Sequence, residues 1–398
     1  MTNAILRGKP DAGNPHVRFD EGEVAPVKPR RGSLLYKCLK FTVLAAGVLA
    51  GSLAFGEEEK ATDNSPGFVK VEWSEKSGEK WEVKGLADRE AGRPMAKDTM
   101  FAICSNTKPV TSVLALTFVE EGLIDLDEPV SKYFPEFAGI KFGYQYKGPK
   151  KPGNKPENPI LLRHLITHLS GLAYSARTET QKPDMVSLPD QVAFAVKKGV
   201  SREPGERYAY NGLGFAVMGA VLEKITGRKV ADLMKERIFD PLGMTETTFY
   251  PTPEQMARAA VVYHYPKKGG APKRVGFGRF SEPLDNPART PLLAGGLFST
   301  AGDYLKFVQM LALKGVGLNG KRILKEETFD KYLATRQTPP GDKVDASFDV
   351  HFNKKHTGGQ KGGLYGTSAS QDWVQKSCKV VFKAVSATKP KEMSFNAK

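Results

Sequence analysis

Ser105 and Lys108 stand three residues apart in the segment 104–109, which reads CSNTKP. On a helix this spacing places both side chains on one face, a single turn apart. A serine hydroxyl becomes a nucleophile when a base removes its proton, and a lysine amine can be that base when burial or nearby positive charge lowers its pKa. The helix N-terminus adds partial positive charge beside the serine. The pair is therefore predicted to act as a nucleophile and its base.

A second Ser-x-x-Lys pattern, formed by Ser77 and Lys80, shows that the pattern alone specifies little. It lies in a polar, Glu/Lys-rich segment with turn character, and we interpret it as a surface turn. The pattern at Ser105 is instead followed by the apolar run 110–119, which predicts a buried helix that ends near 121–122. This context favours Ser105 as the nucleophile.

Cys104 adjoins Ser105 and is a second candidate nucleophile. We interpret it as a small buried residue that packs the start of the helix. Three cysteines in the whole chain are too few for a disulfide framework, and they form no Cys-x-x-Cys pair, which argues against zinc or redox use.

His164 and His168 lie four residues apart in 161–172, a segment that predicts a helix turning at Gly171. On one helix both imidazoles would face the same metal ion. Zinc-binding helices with this spacing carry Glu directly after the first His, where this chain has Leu165, and no third ligand is nearby. We therefore favour two structural histidines and predict no metal site.

The composition is that of a globular protein with 398 residues, 40% hydrophobic and 26% charged, and a net charge of +15. This length suffices for one large domain or for two lobes around a shared cleft. The basic residues are scattered without an aromatic-interleaved motif, so no nucleic-acid partner is expected. We interpret the positive charge as a solvated lysine surface, and attraction to an anionic cell wall or membrane is the alternative.

Residues 1–56 have the layout of a basic leader followed by a secretory signal peptide. The uncharged run 41–56 follows basic residues and ends with small residues at the positions that signal peptidase recognises. The run is short for a membrane span, and an uncleaved N-terminal anchor is the alternative interpretation. The chain is thus expected to be secreted or periplasmic, or associated with a membrane or cell wall through this segment. Residues 57–66 are interpreted as a linker.

The remaining residues, 67–398, are interpreted as one domain. Alternating apolar and polar residues in 68–73 and 81–84, with Ser-Gly at 77–78 between them, predict a β-hairpin. Two further apolar segments predict helices, namely 215–225 and 303–311.

Tyr210 lies where residues 204–212 lead into the predicted helix 215–225. A tyrosine in such a place is usually a packed core aromatic. Its hydroxyl can also serve as an acid or base if a cation lowers its pKa. Position alone leaves both interpretations open.

Taken together, these segments resemble the serine β-lactamase and penicillin-binding-protein superfamily, in the class C-like branch that includes D-alanyl-D-alanine carboxypeptidases and esterases. The resemblance covers roughly residues 85–370. It is carried by motifs in a shared order, namely 101–109 (FAICSNTKP), 122–129 (GLIDLDEP), 162–171 (LRHLITHLSG), 241–244 (PLGM) and 295–300 (GGLFST).

The resemblance implies an α+β fold of the β-lactamase/transpeptidase type. An antiparallel sheet would be flanked by helices, and a mainly helical lobe would span roughly 125–290. The implied chemistry is an acyl-enzyme mechanism without metal or cofactor. Ser105 would attack a carbonyl, Lys108 would accept or stabilise the proton, and Tyr210 would carry protons to the leaving group and activate water.

The family's third motif, Lys/His-x-Gly on an edge strand, binds the substrate carboxylate and steadies the tyrosine. By this resemblance Lys361 and Gly363 fit the motif best, and His356 is the alternative. The oxyanion hole would then consist of the backbone N–H groups of Ser105 and Leu364.

The second motif departs from the family's usual Tyr-x-Asn, because here it reads Tyr210-Asn211-Gly212. An amide that helps hold the substrate is therefore missing or displaced, which weakens any expectation of strong β-lactamase activity. The sequence thus predicts a serine hydrolase acting on a β-lactam, a D-Ala peptide of peptidoglycan type, or an ester. The alternatives are a carboxylesterase without β-lactam activity and a non-catalytic penicillin-fold protein that binds the cell wall or a partner.

Overall fold

The computed structural model describes residues 67–143, 151–173, 182–265, 271–278 and 280–386. The predicted leader, signal segment and linker, residues 1–66, lie outside the described residues. Within those ranges, no helix has the length and apolar character needed to cross a membrane.

Most strands belong to one seven-stranded antiparallel sheet. In chain order the strands are β1 (Phe68–Ser74), β2 (Gly78–Lys84), β3 (Leu86–Asp88), β4 (Arg93–Pro94), β5 (Met100–Ala102), β6 (Tyr263–His264), β7 (Lys273–Arg274), β8 (Phe298–Thr300), β9 (Ala346–Ser347), β10 (Val350–Phe352), β11 (Gly358–Gly362), β12 (Thr367–Asp372) and β13 (Ser377–Lys383). The large sheet has the order β2-β1-β13-β12-β11-β10-β9, and β5 pairs separately with β8.

The predicted hairpin is confirmed as β1 and β2, which pair in antiparallel register. Val69, Val71 and Trp73 face the core, and the residues between them are half-buried. Alternate residues are buried in this way when only one face of a sheet is covered, because successive side chains of a strand point to opposite faces.

Along the chain, the helices of the described residues come after the N-terminal hairpin and before the strand β9. They are α1 (Thr107–Glu120), α2 (Leu162–Ile166), α3 (Leu188–Lys198), α4 (Leu213–Thr226), α5 (Val230–Met234), α6 (Asp240–Leu242), α7 (Pro253–Ala257), α8 (Ala301–Ala312) and α9 (Glu326–Thr328). Helices α2 to α7 fall inside the interval 125–290 that the resemblance assigned to a helical lobe, and α8 packs on the sheet against β12 and β13.

Three predicted helices are confirmed. The buried α1 ends at Glu120, next to the predicted stop. Helix α4 ends before Gly227, whose φ of 67° is the left-handed conformation that commonly terminates helices. Helix α8 begins after Thr300, whose Oγ1 accepts the N–H of Asp303.

The prediction of a helix through 161–172 is wrong beyond Ile166, where α2 ends. His168 has a φ of 63°, which a continuing right-handed helix does not permit. The left-handed backbone is tolerated because the imidazole is fully buried and hydrogen bonded to residues far along the chain. His164 and His168 therefore do not share a helix face.

Candidate active site

Ser105 lies in a 3-10 turn, Cys104–Asn106, that leads directly into α1. Cys104 has a φ of 48°, a backbone conformation that costs a non-glycine residue about 1–3 kcal/mol. Its side chain is fully buried, as predicted, in a small apolar cluster that also contains Tyr365. Asn106 Nδ2 donates to Thr367 Oγ1 at 2.9 Å, so the turn is tied to the first residue of β12.

The segment before β8 is held against the start of α1. Leu297 N donates to Thr107 Oγ1 at 3.1 Å, and Ile103 N donates to the Leu297 carbonyl at 3.0 Å. These bonds bring the Ala294 carbonyl to within 2.6 Å of Lys108 Nζ. A segment nearly 190 residues away in the chain thus supplies one acceptor for the lysine.

Lys108 Nζ is surrounded by three oxygen atoms. Besides the Ala294 carbonyl, it donates to Tyr210 Oη at 2.6 Å and to Ser105 Oγ at 3.2 Å. Tyr210 Oη in turn donates to Ser105 Oγ at 2.7 Å. An ammonium carries three N–H donors and no acceptor, so these oxygens match a protonated lysine. Ser105, Lys108 and Tyr210 form a closed triangle of hydrogen bonds.

Tyr210 is positioned by the start of α4. Asn211 Oδ1 accepts the N–H of Gly214 at 3.0 Å, which caps a free donor of the helix N-terminus. Asn211 is fully buried, and its amide nitrogen donates to the Ala209 carbonyl. This amide is therefore used within the protein, and Gly212 carries no side chain. The amide expected from the family's second motif does not face Ser105.

Lys361, on β11, approaches Tyr210 from the sheet. Its Nζ lies 4.9 Å from the centre of the Tyr210 ring and 2.7 Å from Oδ1 of Asp349. The side chain of Lys361 is 7% exposed and that of Asp349 is 0% exposed. Asp349 occupies the turn between β9 and β10, with a φ of 65°.

His168 completes this cluster on the other side of Asp349. Its Nε2 lies 2.8 Å from Asp349 Oδ1, and its ring centre lies 4.5 Å from that of Tyr210. The backbone N–H of Asn211 donates to His168 Nδ1, so Nδ1 is an acceptor and the ring proton is on Nε2. Neutral His168 therefore donates to Asp349 and links it to the residue that follows Tyr210.

The charges in this cluster shift two pKa values. Burial lowers the pKa of His168 to about 4, and the positive charges of Lys108 and Lys361 act in the same direction. Burial alone would raise the pKa of Asp349, but the Lys361 ammonium and the His168 hydrogen bond outweigh it and hold that pKa well below its usual range. The cluster thus holds a buried carboxylate, an ammonium and a neutral imidazole at neutral pH.

Of the two third-motif candidates, the structure brings Lys361 beside Tyr210 and leaves His356 apart. His356 lies in the loop between β10 and β11, where its Nε2 pairs with Asp345 at 2.7 Å and its ring stacks on Phe352. Its side chain is 48% exposed. The two residues are only five positions apart, so the pairing of β10 with β11 decides which of them is turned inward.

Gly363 follows β11 and lies directly against the Ser105 turn. A Cβ at this position would stand 2.5 Å from the Ile103 carbonyl oxygen and 2.3 Å from Thr367 Oγ1, so only glycine fits. Leu364, the next residue, packs against the small cluster that contains Cys104. The backbone of 363–364 is thereby held next to the nucleophile turn.

The structure thus brings together the side chains predicted from sequence and adds three groups that sequence analysis did not assign to the site, namely Asp349, the Ala294 carbonyl and His168, which was interpreted only as a structural histidine. The sequence around Asp349 does not indicate that this residue is buried. It stands between Phe348 and Val350 in the stretch 346–352, where polar residues alternate with apolar ones, so the pattern by itself would place this carboxylate on the solvent side; a carboxylate is buried only with a partner.

Comparison with known proteins decides the family. Residues 69–386 match the family described as Beta-lactamase. The chain belongs to the β-lactamase family. This membership confirms the predicted fold class, an antiparallel sheet flanked by helices with a mainly helical lobe.

Relatives of this β-lactamase-family chain include an esterase. It is 30% identical over 287 residues to Lovastatin esterase of Penicillium rubens, covering 69% of this chain and 68% of that protein. It is 32% identical over 251 residues to Protein Rv1367c of Mycobacterium tuberculosis and spans 61% of that protein's length. The solved structure of EstCE1, a hydrolase with promiscuous acyltransferase activity, has a TM-score of 0.67 and 24% identity, with 87% of this chain and 95% of that chain covered.

Proposed function

We propose that this chain is a serine hydrolase that cleaves carboxylic esters through an acyl-enzyme formed on Ser105. The observation that carries the proposal is the closed triangle of hydrogen bonds between Ser105, Lys108 and Tyr210. Two further observations favour an ester over a β-lactam or a D-Ala peptide. The second motif offers no amide to a substrate, because Gly212 has no side chain and the Asn211 amide bonds within the protein, and the relatives include Lovastatin esterase.

Before acylation the Tyr210 hydroxyl, which donates to Ser105 Oγ in the resting site, would lose its proton to solvent water. Ser105 Oγ would then attack the ester carbonyl carbon while its own proton passes to the phenolate oxygen of Tyr210. The ammonium of Lys108, 2.6 Å from that oxygen, stabilises the phenolate before the transfer. Tyr210 then donates the proton to the departing alkoxide, which leaves as an alcohol. For deacylation, water attacks the acyl carbonyl with Tyr210 as its base, and the proton returns to Ser105 as the carboxylic acid departs.

Negative charge develops on the carbonyl oxygen in both steps. The backbone N–H groups of Ser105 and Leu364 are proposed to stabilise it, aided by the N-terminus of α1. The close approach of Gly363 to the Ile103 carbonyl supports this role, because it holds the Leu364 amide beside the turn that carries Ser105.

Export remains part of the proposal, on the strength of the signal-like layout of residues 1–56. Expression of the full chain in a bacterial host, followed by intact-mass analysis of the exported and cellular fractions, tests it. An exported product lacking about the first 56 residues is expected. A full-length product that stays in the cell would contradict export.

The hydrolase is tested by intact-mass labelling of the full chain with a fluorophosphonate, beside Ser105→Ala and Ser77→Ala. We expect one adduct on the unsubstituted chain and on Ser77→Ala, and none on Ser105→Ala. Ser77 is a matched control because it heads the other Ser-x-x-Lys pattern and lies exposed in the β1–β2 turn.

An ester panel run beside nitrocefin then sorts the substrate class. Turnover of esters without turnover of nitrocefin is the expected result. Absence of any adduct on the unsubstituted chain would overturn the proposal in favour of the non-catalytic binding protein.

A further inference from the structure

Asp349 is a buried carboxylate that the proposed chemistry does not use. Its Oδ1 accepts hydrogen bonds from Lys361 Nζ at 2.7 Å and from His168 Nε2 at 2.8 Å. Among the described residues no donor reaches its Oδ2, which is also buried. Asp349 is thus fixed by two charged or polar partners that both lie against the ring of Tyr210.

Lys361 is an ammonium that lies against the ring of Tyr210, next to the candidate nucleophile. Its Nζ is 4.9 Å from the centre of the Tyr210 ring, whose hydroxyl meets Ser105. The second ammonium that faces this ring belongs to Lys108, which is already surrounded by three oxygens. Of these two ammonium groups, Lys361 is therefore the one with which a substrate carboxylate beside Tyr210 would pair.

That pairing is opposed by Asp349. A substrate carboxylate beside Lys361 would place two carboxylates around one ammonium, and like charges at such a site repel strongly because little water screens them. Drawing Lys361 away would instead leave Asp349 buried without its cation, which is a strongly unfavourable state. Both arrangements weaken the binding of an anionic substrate.

We propose that Asp349 determines the substrate class of this site, because it holds the Lys361 ammonium and thereby restricts the enzyme to esters whose acyl part is uncharged. This inference rests on the proposed function, since it concerns the substrate that Ser105 attacks. The protein's overall charge favours anionic substrates, which is the opposite preference. A net charge of +15 attracts anions, so a preference for neutral esters has to arise in the site itself.

The test compares two esters that differ in one charge, mono-4-nitrophenyl adipate and its methyl ester, with the full chain. We expect kcat/KM for the neutral methyl ester to exceed that for the anionic ester by about tenfold or more, mainly through KM. Asp349→Asn keeps the side-chain shape and removes the negative charge that neutralises the Lys361 ammonium. In this variant the ratio of kcat/KM for the neutral ester to kcat/KM for the anionic ester is expected to fall by about tenfold, to a value near or below one.

Asp345→Asn is the matched control. It makes the same carboxylate-to-amide change four residues away, where the side chain is 36% exposed and pairs with His356. Its ratio is expected to equal that of the unsubstituted chain. Near-ultraviolet circular dichroism reports whether Asp349→Asn keeps the native packing. Where it does not, equal or faster turnover of the anionic ester by the unsubstituted chain still overturns the proposal.

The outcomes separate this inference from the proposed function. Equal turnover of the two esters, or faster turnover of the anionic one, would overturn the inference and leave the hydrolase intact. An unchanged ratio in a folded Asp349→Asn variant would remove Asp349 as its cause. No turnover of either ester, with no fluorophosphonate adduct, would remove the proposed function and this inference together.

Discussion

The hydroxyl oxygen of Tyr210 lies 2.7 Å from Ser105 Oγ, whereas Nζ of Lys108 is 3.2 Å from the same oxygen. The tyrosine is therefore the closer partner of the candidate nucleophile, although Lys108 is its neighbour in sequence. The lysine is held by the Ala294 carbonyl and by Tyr210 itself. In the proposed mechanism, this order of distances favours Tyr210 as the group that exchanges the proton and Lys108 as the group that stabilises the resulting charge.

Tyr210→Phe keeps the ring and removes only the hydroxyl. We expect kcat for ester hydrolysis to fall by about 10²- to 10⁴-fold, the usual contribution of a positioned acid–base group. Steady-state kinetics with 4-nitrophenyl butyrate measure it. Tyr208→Phe is the control, since Tyr208 contacts His168 and its side chain is half-buried, as that of Tyr210 is. Equal losses in the two variants would contradict a special role for the Tyr210 hydroxyl.

Gly363→Ala tests the approach of β11 to the nucleophile turn. The added Cβ would meet the Ile103 carbonyl at 2.5 Å, so the 363–364 backbone has to move away from Ser105. We expect kcat to fall by about tenfold or more, because displaced oxyanion donors lose much of their effect. Gly139→Ala is the control, because a Cβ there meets nothing within 4 Å. A Gly363→Ala enzyme with unchanged kcat would place the oxyanion donors elsewhere.

Arg289 and Asp184 form a buried ion pair in the helical part of the chain. Arg289 Nη1 lies 3.1 Å from Asp184 Oδ2, and the two side chains are 4% and 0% exposed. Arg289→Met leaves the carboxylate buried without its cation and is expected to lower the free energy of unfolding by about 3–5 kcal/mol. Arg228→Met removes a partner of the exposed pair with Glu236 and is expected to leave the free energy of unfolding nearly unchanged, because solvent screens this pair. Urea unfolding compares them, and equal losses would contradict the prediction.

His164 and His168 make stability depend on pH. Burial lowers the pKa of each to about 4, and nearby positive charges add to this, from Arg163 at His164 and from Lys108 and Lys361 at His168. An unfolded histidine titrates near pH 6.5, so the unfolded chain binds more protons between pH 6.5 and 4. The stability that these residues contribute is therefore complete above pH 6.5 and is lost as the pH falls toward 4.

At pH 5 each histidine is expected to lower the free energy of unfolding by about 2 kcal/mol relative to pH 7. Urea unfolding at the two pH values measures the change. His164→Asn places an amide oxygen where Nδ1 accepts the Leu161 N–H, and it should remove about half of the pH dependence. Equal free energies of unfolding at pH 7 and pH 5 in the unsubstituted chain would contradict the assignment.

The left-handed backbone at His168 marks where prediction from local pattern failed. The apolar spacing of 161–172 is helical, and the sequence contains no glycine or proline that would stop α2 at Ile166. The helix ends because His168 is bound to Asp349, 181 residues further along the chain. No local signal encodes a hydrogen bond of that separation.

The sequence by itself determined the features that depend on neighbouring residues. Ser105 and Lys108 share one turn, the β1–β2 hairpin follows from alternation, and α1 and α4 follow from apolar runs with clear ends. Motif order also determined the fold class. Only the tertiary structure decided that Lys361 rather than His356 lies beside Tyr210, and that Asp349 holds its ammonium. The physical reason is that side-chain direction on β11 and the burial of a charge depend on strand register and on partners far apart in the chain.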